Sequence, residues 1–442
     1  MDAVKIALCI LTSHRQHCRF ILYSRSLHFY AGLTGYLMSK MDIKGPFVQT
    51  PMTSPPIYMR MHKRIAQHVP ELYPQYRPFL HADGSLLAQM LKAMYGCVQA
   101  SGLWFNLLTK LPLSKGYVAS ETDPCVMRRS SGGLIFSILI YVDDLLIFAS
   151  RAETESIRGF LTVAFKTITM SVAQSLSYLL WEDGCFTVDM DFYVDQLLKE
   201  WLHLPTRLTP GARNTFQLDE TSQLLSKQLR QVFHSTVARL LYLSKRVGPD
   251  TLTVVSFLCT CVTKAMEQDQ TKLERLLGFL NHTKTKKLYI RAMNGRQLMA
   301  FFDAAFALHF DSKSHTGVLF VLGGIVIYFS YRKQKCIAKS PTEAELVGLM
   351  DNLGLVEFFH EFISFLFGTQ IPTPIVFQDC TSVISLVTRG GGITHTKLMR
   401  AQVKLGKDYC IANKMMADGF SKVLEGNDFA QFADFVQGIK TP

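Results

Sequence analysis

Apolar positions are spaced along the chain in two rhythms, one close to 3.6 residues and one running continuously over strand-sized blocks, and these predict its elements. The densest apolar tract is Leu134 to Ser150, where two runs rich in Ile, Leu and Phe flank Tyr141-Val142-Asp143-Asp144. Continuous apolar character on both sides of a short polar turn predicts a hairpin buried on both faces. Upstream, residues 1 to 38 mix apolar and basic positions and read as one helix. Pro46, Pro51, Pro55 and Pro56 mark an extended or turned segment. Leu86 to Lys110 reads as the first long helical region, broken at Gly96 and Gly102, with Met90, Leu91, Met94, Tyr95, Trp104, Leu107 and Leu108 expected in the core.

Helical periodicity resumes at Arg151 and recurs over residues 191 to 202, 222 to 246, 251 to 265 and 268 to 282, with a tight hairpin expected at Tyr178 to Gly184. In the 222 to 246 helix the apolar positions are Leu224, Leu225, Leu229, Val232, Val237, Leu240, Leu241 and Leu243. Beyond the basic stretch Lys284, Lys286 and Lys287, a seam is expected, because strand patterns begin again at Leu298 to Asp303, Gly317 to Leu322 and Ile325 to Ser330. Gly323-Gly324 supplies the turn between the last two. One long helix is expected from about Thr342 to Phe367, started by Ser340 and Pro341, followed by a strand at Ile375 to Asp379 and by shorter helices, the last near Ala417 to Val436. Hairpin, helix, strand and helix in that order predict a mixed sheet flanked by helices.

Length and composition add limits. A chain of 442 residues with 48% hydrophobic and 19% charged residues is globular and long enough for two to four domains. The formal charge is +12, and residues 1 to 130 carry 15 Lys and Arg against 6 Asp and Glu, so a polyanionic partner is expected. Ten cysteines without a Cys-x-x-Cys spacing indicate neither a zinc site nor a disulfide framework. Ile6 to Leu11 is too short for a secretory signal, and no apolar stretch reaches the roughly 18 residues of a membrane span, so an intracellular location, cytoplasmic or nuclear, is expected.

The acids carry the candidate chemistry. Asp143 and Asp144 are adjacent charges in an apolar setting, and two such charges about 4 Å apart repel by roughly 4 kcal/mol at an effective dielectric of about 20. A divalent cation, Mg²⁺ or Mn²⁺, held by these oxygens against a substrate phosphate would relieve that repulsion; an exposed acidic turn between core strands is the alternative. In the last region Asp303 closes a strand, Glu345 lies in the first turn of the long helix, Asp379 closes a strand and Asp418 opens the final helix. Strand ends and helix starts can converge at one sheet edge, where such acids could share two metal ions and clamp a phosphodiester.

Three ordered segments resemble motifs of the copia-type retrotransposon reverse transcriptase: Met41-Asp42-Ile43-Lys44-Gly45-Pro46-Phe47, Lys92 to Ala100 with Trp104, and Tyr141-Val142-Asp143-Asp144. Downstream, Arg332 to Lys335, Ser340 to Leu346 and Ala417 to Lys422 are similar to the ribonuclease H domain that follows it. The resemblance implies an α+β fold: truncated fingers and palm over residues 1 to 150, palm end and thumb over 151 to 250, a helical connection over 251 to 296, and a ribonuclease H-like mixed sheet over 297 to 442. It also implies RNA-directed DNA polymerase and ribonuclease H activities using Mg²⁺ or Mn²⁺. The implied partners are an RNA template, a DNA primer, deoxynucleoside triphosphates and an RNA–DNA hybrid, with no membrane. Asp42, Asp143 and Asp144 match the polymerase acids, and Asp303, Glu345, Asp379 and Asp418 match the nuclease acids. Phe47 matches the aromatic under the incoming sugar, Gln99 a residue near template and nucleotide, and Tyr141 opens the hairpin motif.

The chain also departs from that pattern. Only about 40 residues precede Asp42, Pro46 stands where a small residue is usual, and Tyr178 to Trp181 is shortened. Leu398 stands where a histidine is expected, and Lys407 to Met415 looks too short for the strand before Asp418. No protease or integrase motif is visible. These departures keep a second expectation open, a catalytically decayed nucleic-acid-binding remnant of such a polyprotein.

Overall fold

The apolar runs around Asp143 form the centre of a six-stranded sheet. The computed structural model describes residues 37–53, 55–172, 175–176, 179–182, 185–217, 219–291, 295–389, 410–412 and 417–439. The helix expected over residues 1 to 38, and Leu398, lie essentially outside them. The fold is mixed α+β, and the described residues fall into two units, 39–171 and, with residues 37 and 38, 172–439.

In the first unit, strands β1 (Leu37–Ile43), β2 (Tyr58–Met61), β3 (Leu86–Gln89), β4 (Val118–Ala119), β5 (Val126–Ser131), β6 (Leu134–Tyr141), β7 (Asp144–Ala149) and β8 (Ile168–Val172) form a sheet of order β4-β5-β6-β7-β1-β8 and a separate β2-β3 pair. Phe136 to Ile140 and Leu145 to Ala149 are buried without alternation, as expected for a hairpin covered on both faces. Two helices, α1 (Ala100–Ser114) and α2 (Arg151–Ala164), contribute the buried Trp104, Leu108, Ile157 and Leu161. Ser150 caps α2 through the backbone N–H of Glu153.

Two expectations fail here. Leu86–Gln89 is a strand paired with Tyr58–Met61, and the helix begins only at Ala100, past Gly96. Leu91, Met94 and Tyr95 are 72%, 40% and 62% exposed, so the apolar residues ahead of the helix do not join the core. The proline segment contains one helical turn, Pro46–Gln49, because Gly45 at φ 62° turns the chain and Pro46 occupies the first helical position, where its missing N–H costs nothing.

The second unit opens with an antiparallel sheet of β9 (Ser175–Leu176), β10 (Leu179–Glu182), β11 (Cys185–Val188) and β12 (Leu288–Arg291), in the order β12-β11-β10-β9. Its β10–β11 pair is the expected tight hairpin. Helices α3 (Asp191–Leu198), α4 (Lys227–Ser244), α5 (Leu252–Cys261) and α6 (Glu267–Thr283) intervene before β12 returns to pair with β11. Along α4 the buried stripe is Phe233, Val237, Leu240 and Leu243; Leu224, Leu229 and Val232 are exposed, contrary to the sequence reading.

Next comes the five-stranded mixed sheet β15-β14-β13-β16-β17, built from β13 (Leu298–Ala305), β14 (His315–Leu322), β15 (Ile325–Lys333), β16 (Ile375–Phe377) and β17 (Cys410–Ala412). The β13, β14 and β15 meander is antiparallel, whereas β16 and β17 run parallel to β13 and β16 respectively. The strand β17 fills the place for which the chain had looked too short. Helix α7 (Pro341–Met350) and helix α8 (Leu353–Phe367) replace the single long helix. The break falls at Asp351-Asn352, where the Asn352 side-chain amide donates to the Gly348 carbonyl at 2.7 Å. Apolar periodicity passes through it unbroken, because Leu346, Leu349, Leu353 and Val356 are all buried. Helices α9 (Thr381–Arg389), α10 (Asp418–Ser421) and α11 (Gly426–Val436) complete the unit.

An aromatic core joins α5, the sheet and the last helices: Leu252, Phe301, Leu319, Phe329, Phe420 and Phe432 belong to one buried cluster. Two glycines allow its closeness. A Cβ on Gly317 would lie 2.8 Å from Phe420 Cβ, and one on Gly419 would lie 2.5 Å from the Phe432 ring. Gly317→Ala is therefore expected to destabilise the protein by about 1–3 kcal/mol through overpacking. A thermal melt unchanged by that substitution would contradict this packing.

Candidate functional site

The mixed sheet brings three acids together. Asp303 lies on β13 opposite Gly317 of β14, Glu345 lies on the second turn of α7, and Asp379 follows the end of β16. One carboxylate oxygen from each lies within 4.8 Å of the others, and among the described residues they form the one acidic group with this convergence. Parallel pairing of β13 with β16 sets two of them side by side. Gln334 sets the third: its side-chain amide donates to Thr316 Oγ1 and to the Ala344 carbonyl, both at 2.9 Å, tying α7 to β14. Glu343, the neighbouring acid, instead closes the helix start, accepting from the Lys339 N–H at 2.7 Å.

Helix α10 lies over the same point because Gly317 leaves room for Phe420. The Ser421 hydroxyl donates to Asp303 Oδ2, and Lys422 Nζ lies 3.7 Å from that oxygen and 2.9 Å from Asp418 Oδ1. Asp418 is thus linked to the group through Lys422 and is outside the convergent three. Burial, and after it the Asp303 carboxylate, pushes Glu345 up to about 9. Burial raises Asp303 as well, against the pull of Ser421 and Lys422. Three hard oxygen donors crowded out of water, with one ammonium at their rim, suit a divalent cation.

In the first unit the acids are neighbours by backbone. The Ile43 N–H donates to the Asp143 carbonyl at 3.0 Å, so β1 carries Asp42 alongside the hairpin. Their side chains meet lysines: Lys44 Nζ contacts Asp42 Oδ2, and Lys40 Nζ lies 2.9 Å from Asp144 Oδ1. Burial, reinforced by the Asp144 and Asp42 charges, raises Asp143 above the usual carboxylate range. Tyr141 is raised by burial and by the Asp144 and Asp143 charges. The turn itself is strained, with Val142 at φ 55°, a region that β-branched residues rarely occupy. The Trp104 indole N–H donates to the Val142 carbonyl and holds it there. Phe47 is buried against Tyr95 with ring centroids 4.6 Å apart, and Gln99 is exposed at the residue preceding α1.

Several of these contacts escaped the sequence reading. Ser421, Lys422 and Gln334 were visible only as parts of motifs, although Lys422 at four residues after Asp418 has the spacing of a helical ion pair. Trp104 read as core, which it is; its bond to the turn depends on the tertiary fold.

The chain is similar to retrovirus-related Pol polyproteins of transposons. It is 24% identical over 320 residues to that of transposon TNT 1-94 of Nicotiana tabacum, covering 68% of this chain and 24% of the relative. Against transposon RE2 of Arabidopsis thaliana the identity is 22% over 452 residues, covering 96% of this chain and 29% of the relative. A putative transposon Ty5-1 protein of Saccharomyces cerevisiae is 24% identical over 329 residues, 70% of this chain and 97% of that protein. No family model matches the chain. It spans 24% and 29% of the length of these two plant relatives, and the similarity supports a retroelement polyprotein origin. Among the described residues no helix is long and apolar enough to cross a membrane.

Crowding at Glu345 has a measurable sign. Its proton is held more tightly in the folded protein than in the unfolded chain, so without metal its ionisation costs stability. The cost is absent below about pH 4.5 and grows as pH rises towards 9. In chelator, Glu345→Gln is expected to melt a few degrees above the wild type at pH 8 and level with it near pH 4. Equal melting temperatures at pH 8 would argue against the crowding.

Proposed function

We propose that the chain is the reverse transcriptase and ribonuclease H segment of a copia-type retrotransposon polyprotein. On this reading residues 39–171 belong to the palm, the helices from α3 to α6 are thumb and connection, and the β13–β17 sheet with its helices is the ribonuclease H domain. The observation that carries it is the convergence of Asp303, Glu345 and Asp379 within 4.8 Å on a mixed sheet, in a chain whose relatives are transposon polyproteins.

Asp303, Glu345 and Asp379 would hold Mg²⁺ or Mn²⁺, with Asp418 at the rim. The bound ions would supply an activated water and charge neutralisation at the scissile phosphate of an RNA–DNA hybrid. Ser421 and Lys422 fix the Asp303 carboxylate so that its oxygens stay aimed inward. In the polymerase half, Asp42, Asp143 and Asp144 would serve primer extension on an RNA template with deoxynucleoside triphosphates. The Trp104 bond keeps the strained Val142 turn in place, while Gln99 and Tyr141 would face nucleotide and template and Phe47, buried against Tyr95, would act through that packing.

A second reading applies to that half alone. Lys44 on Asp42 and Lys40 on Asp144 already neutralise two of its acids internally, which favours a polymerase site that binds nucleic acid without turnover.

Two assays on the full chain separate these readings. Hybrid cleavage in Mg²⁺ is expected to fall by about 10²–10³ with Asp303→Asn or Glu345→Gln; cleavage indifferent to both would sink the nuclease assignment. Primer extension lost in Asp143→Asn supports the polymerase, whereas absent extension beside intact hybrid cleavage supports the second reading.

A further inference from the structure

Helix α10 and the residue after it carry three of the groups around the acids, Asp418, Ser421 and Lys422, yet the helix is a single turn of four residues. A helix that short cannot hold itself, because ordering its backbone costs more than one turn of hydrogen bonds returns. Its own bonds are the Phe420 N–H to the Ala417 carbonyl and the Lys422 N–H to the Asp418 carbonyl, both at 2.8 Å. The Phe420 ring, stacked on Phe329 with centroids 5.8 Å apart, fixes its depth over the sheet. One side chain fixes a point, whereas an orientation needs a second hold.

That second hold comes from the helices that precede the sheet in the chain. Thr253, 4% exposed near the start of α5, donates its hydroxyl to the Gly419 carbonyl at 2.7 Å. The bond satisfies one of the carbonyls that a one-turn helix cannot pair internally. Beside it, a Cβ on Gly211 would lie 3.0 Å from Val254 and 3.1 Å from Val423, so the Gly211 loop, α5 and the residue after Lys422 pack without spare room. Arg213 reaches the Glu425 carboxylate with its backbone N–H and its Nε, both at 3.1 Å. With Arg213 88% exposed, that ion pair contributes little. The buried hydroxyl is the stronger tie, since its removal strands a carbonyl away from water.

We propose that Thr253 is a positioning residue of the acidic site: from α5 it holds α10 in the orientation that keeps Ser421 and Lys422 on Asp303, and so sets the affinity of the site for a divalent cation. The inference rests on the nuclease reading and deepens it, because it makes a helix from outside the β13–β17 sheet part of that centre. Groups that orient a metal-binding carboxylate from behind typically change metal affinity by about 10- to 100-fold, and Thr253, acting through the backbone of α10, belongs at the lower end.

The test uses the full chain with three substitutions. Thr253→Val keeps the shape and removes the hydroxyl, Thr253→Ser keeps the hydroxyl, and Ser364→Ala removes a buried acceptor of the Ile371 N–H near the end of α8. Calorimetric titration with Mn²⁺, without nucleic acid, is expected to give a Kd raised roughly tenfold in Thr253→Val and changed by less than about twofold in the other two. In chelator, amide hydrogen exchange over residues 417–425 is expected to quicken about tenfold in Thr253→Val alone. Ser364→Ala thereby separates a local hold from a general loss of stability. Thr253→Ala leaves room for a water on the Gly419 carbonyl, and it takes the place of Thr253→Val, with the same two readouts, if the valine variant does not fold. Unchanged exchange would show that the bond does not hold α10, and faster exchange with unchanged Mn²⁺ affinity would deny it a positioning role; each result overturns the proposal. A wild type that takes up no Mn²⁺ removes the nuclease reading and the proposal together, whereas equal Mn²⁺ binding by wild type and variant removes the proposal alone.

Discussion

Three carboxylates held within 4.8 Å of one another in a mostly buried place repel, and the rest of the second unit is arranged around that repulsion. At an effective dielectric of about 20, each charged pair at such a distance costs roughly 3–4 kcal/mol, comparable with a sizeable share of a domain's whole stability. Without a cation the site answers by keeping a proton on Glu345, and by drawing Ser421 and Lys422 onto Asp303. Neither response removes the strain, so packing must hold the strands and helices at fixed distance. Phe301 stacked on Phe377 at 4.4 Å, each two residues before one of the acids, and Phe420 pressed onto Gly317 provide it. A side chain at Gly317 would lift α10 and take Ser421 and Lys422 away from Asp303.

The first unit meets the same difficulty differently. There the acids sit at a hairpin turn and beside it, and two lysines from β1 and its end neutralise the outer pair. Asp143, between them, takes the burial. Its position is set by a turn in which a valine adopts a conformation that glycine would take more easily, and Trp104 anchors that turn from α1. Strain stored at one residue and compensated by a buried indole is an arrangement that packing alone would not require.

How much of this was legible in the sequence follows from what each feature depends on. Strands β6, β7, β13, β14 and β15 were legible because continuous apolar runs bounded by polar residues or glycines leave few alternatives. Gly323-Gly324 specified its turn directly, with both residues at positive φ. The break between α7 and α8 was not, since it is made by one side-chain bond from Asn352 inside an intact apolar stripe. Nor was β17, whose three residues gain their strand character from pairing with β16. The acids of the mixed sheet could be named by their places at element ends and by resemblance, but Asp418 stands apart from the other three because its separation depends on how Lys422 bridges. The lysines on Asp42 and Asp144 carried no local signal beyond their positive charge.

The least legible stretch is the most informative about surface chemistry. Residues 86 to 95 looked like core because they are apolar, and the inference from apolar to buried runs only one way. Leu87, Leu91 and Tyr95 are instead exposed, and so are Ile65, Leu72, Tyr73 and Phe79 of the neighbouring turns. Scattered exposed apolar residues need no explanation, whereas these line one contiguous groove between β2, β3 and the proline-containing turns that join them. Along the 3₁₀ segment the rings meet one another edge-on and tilted, Tyr73 with Tyr76 and Tyr76 with Phe79.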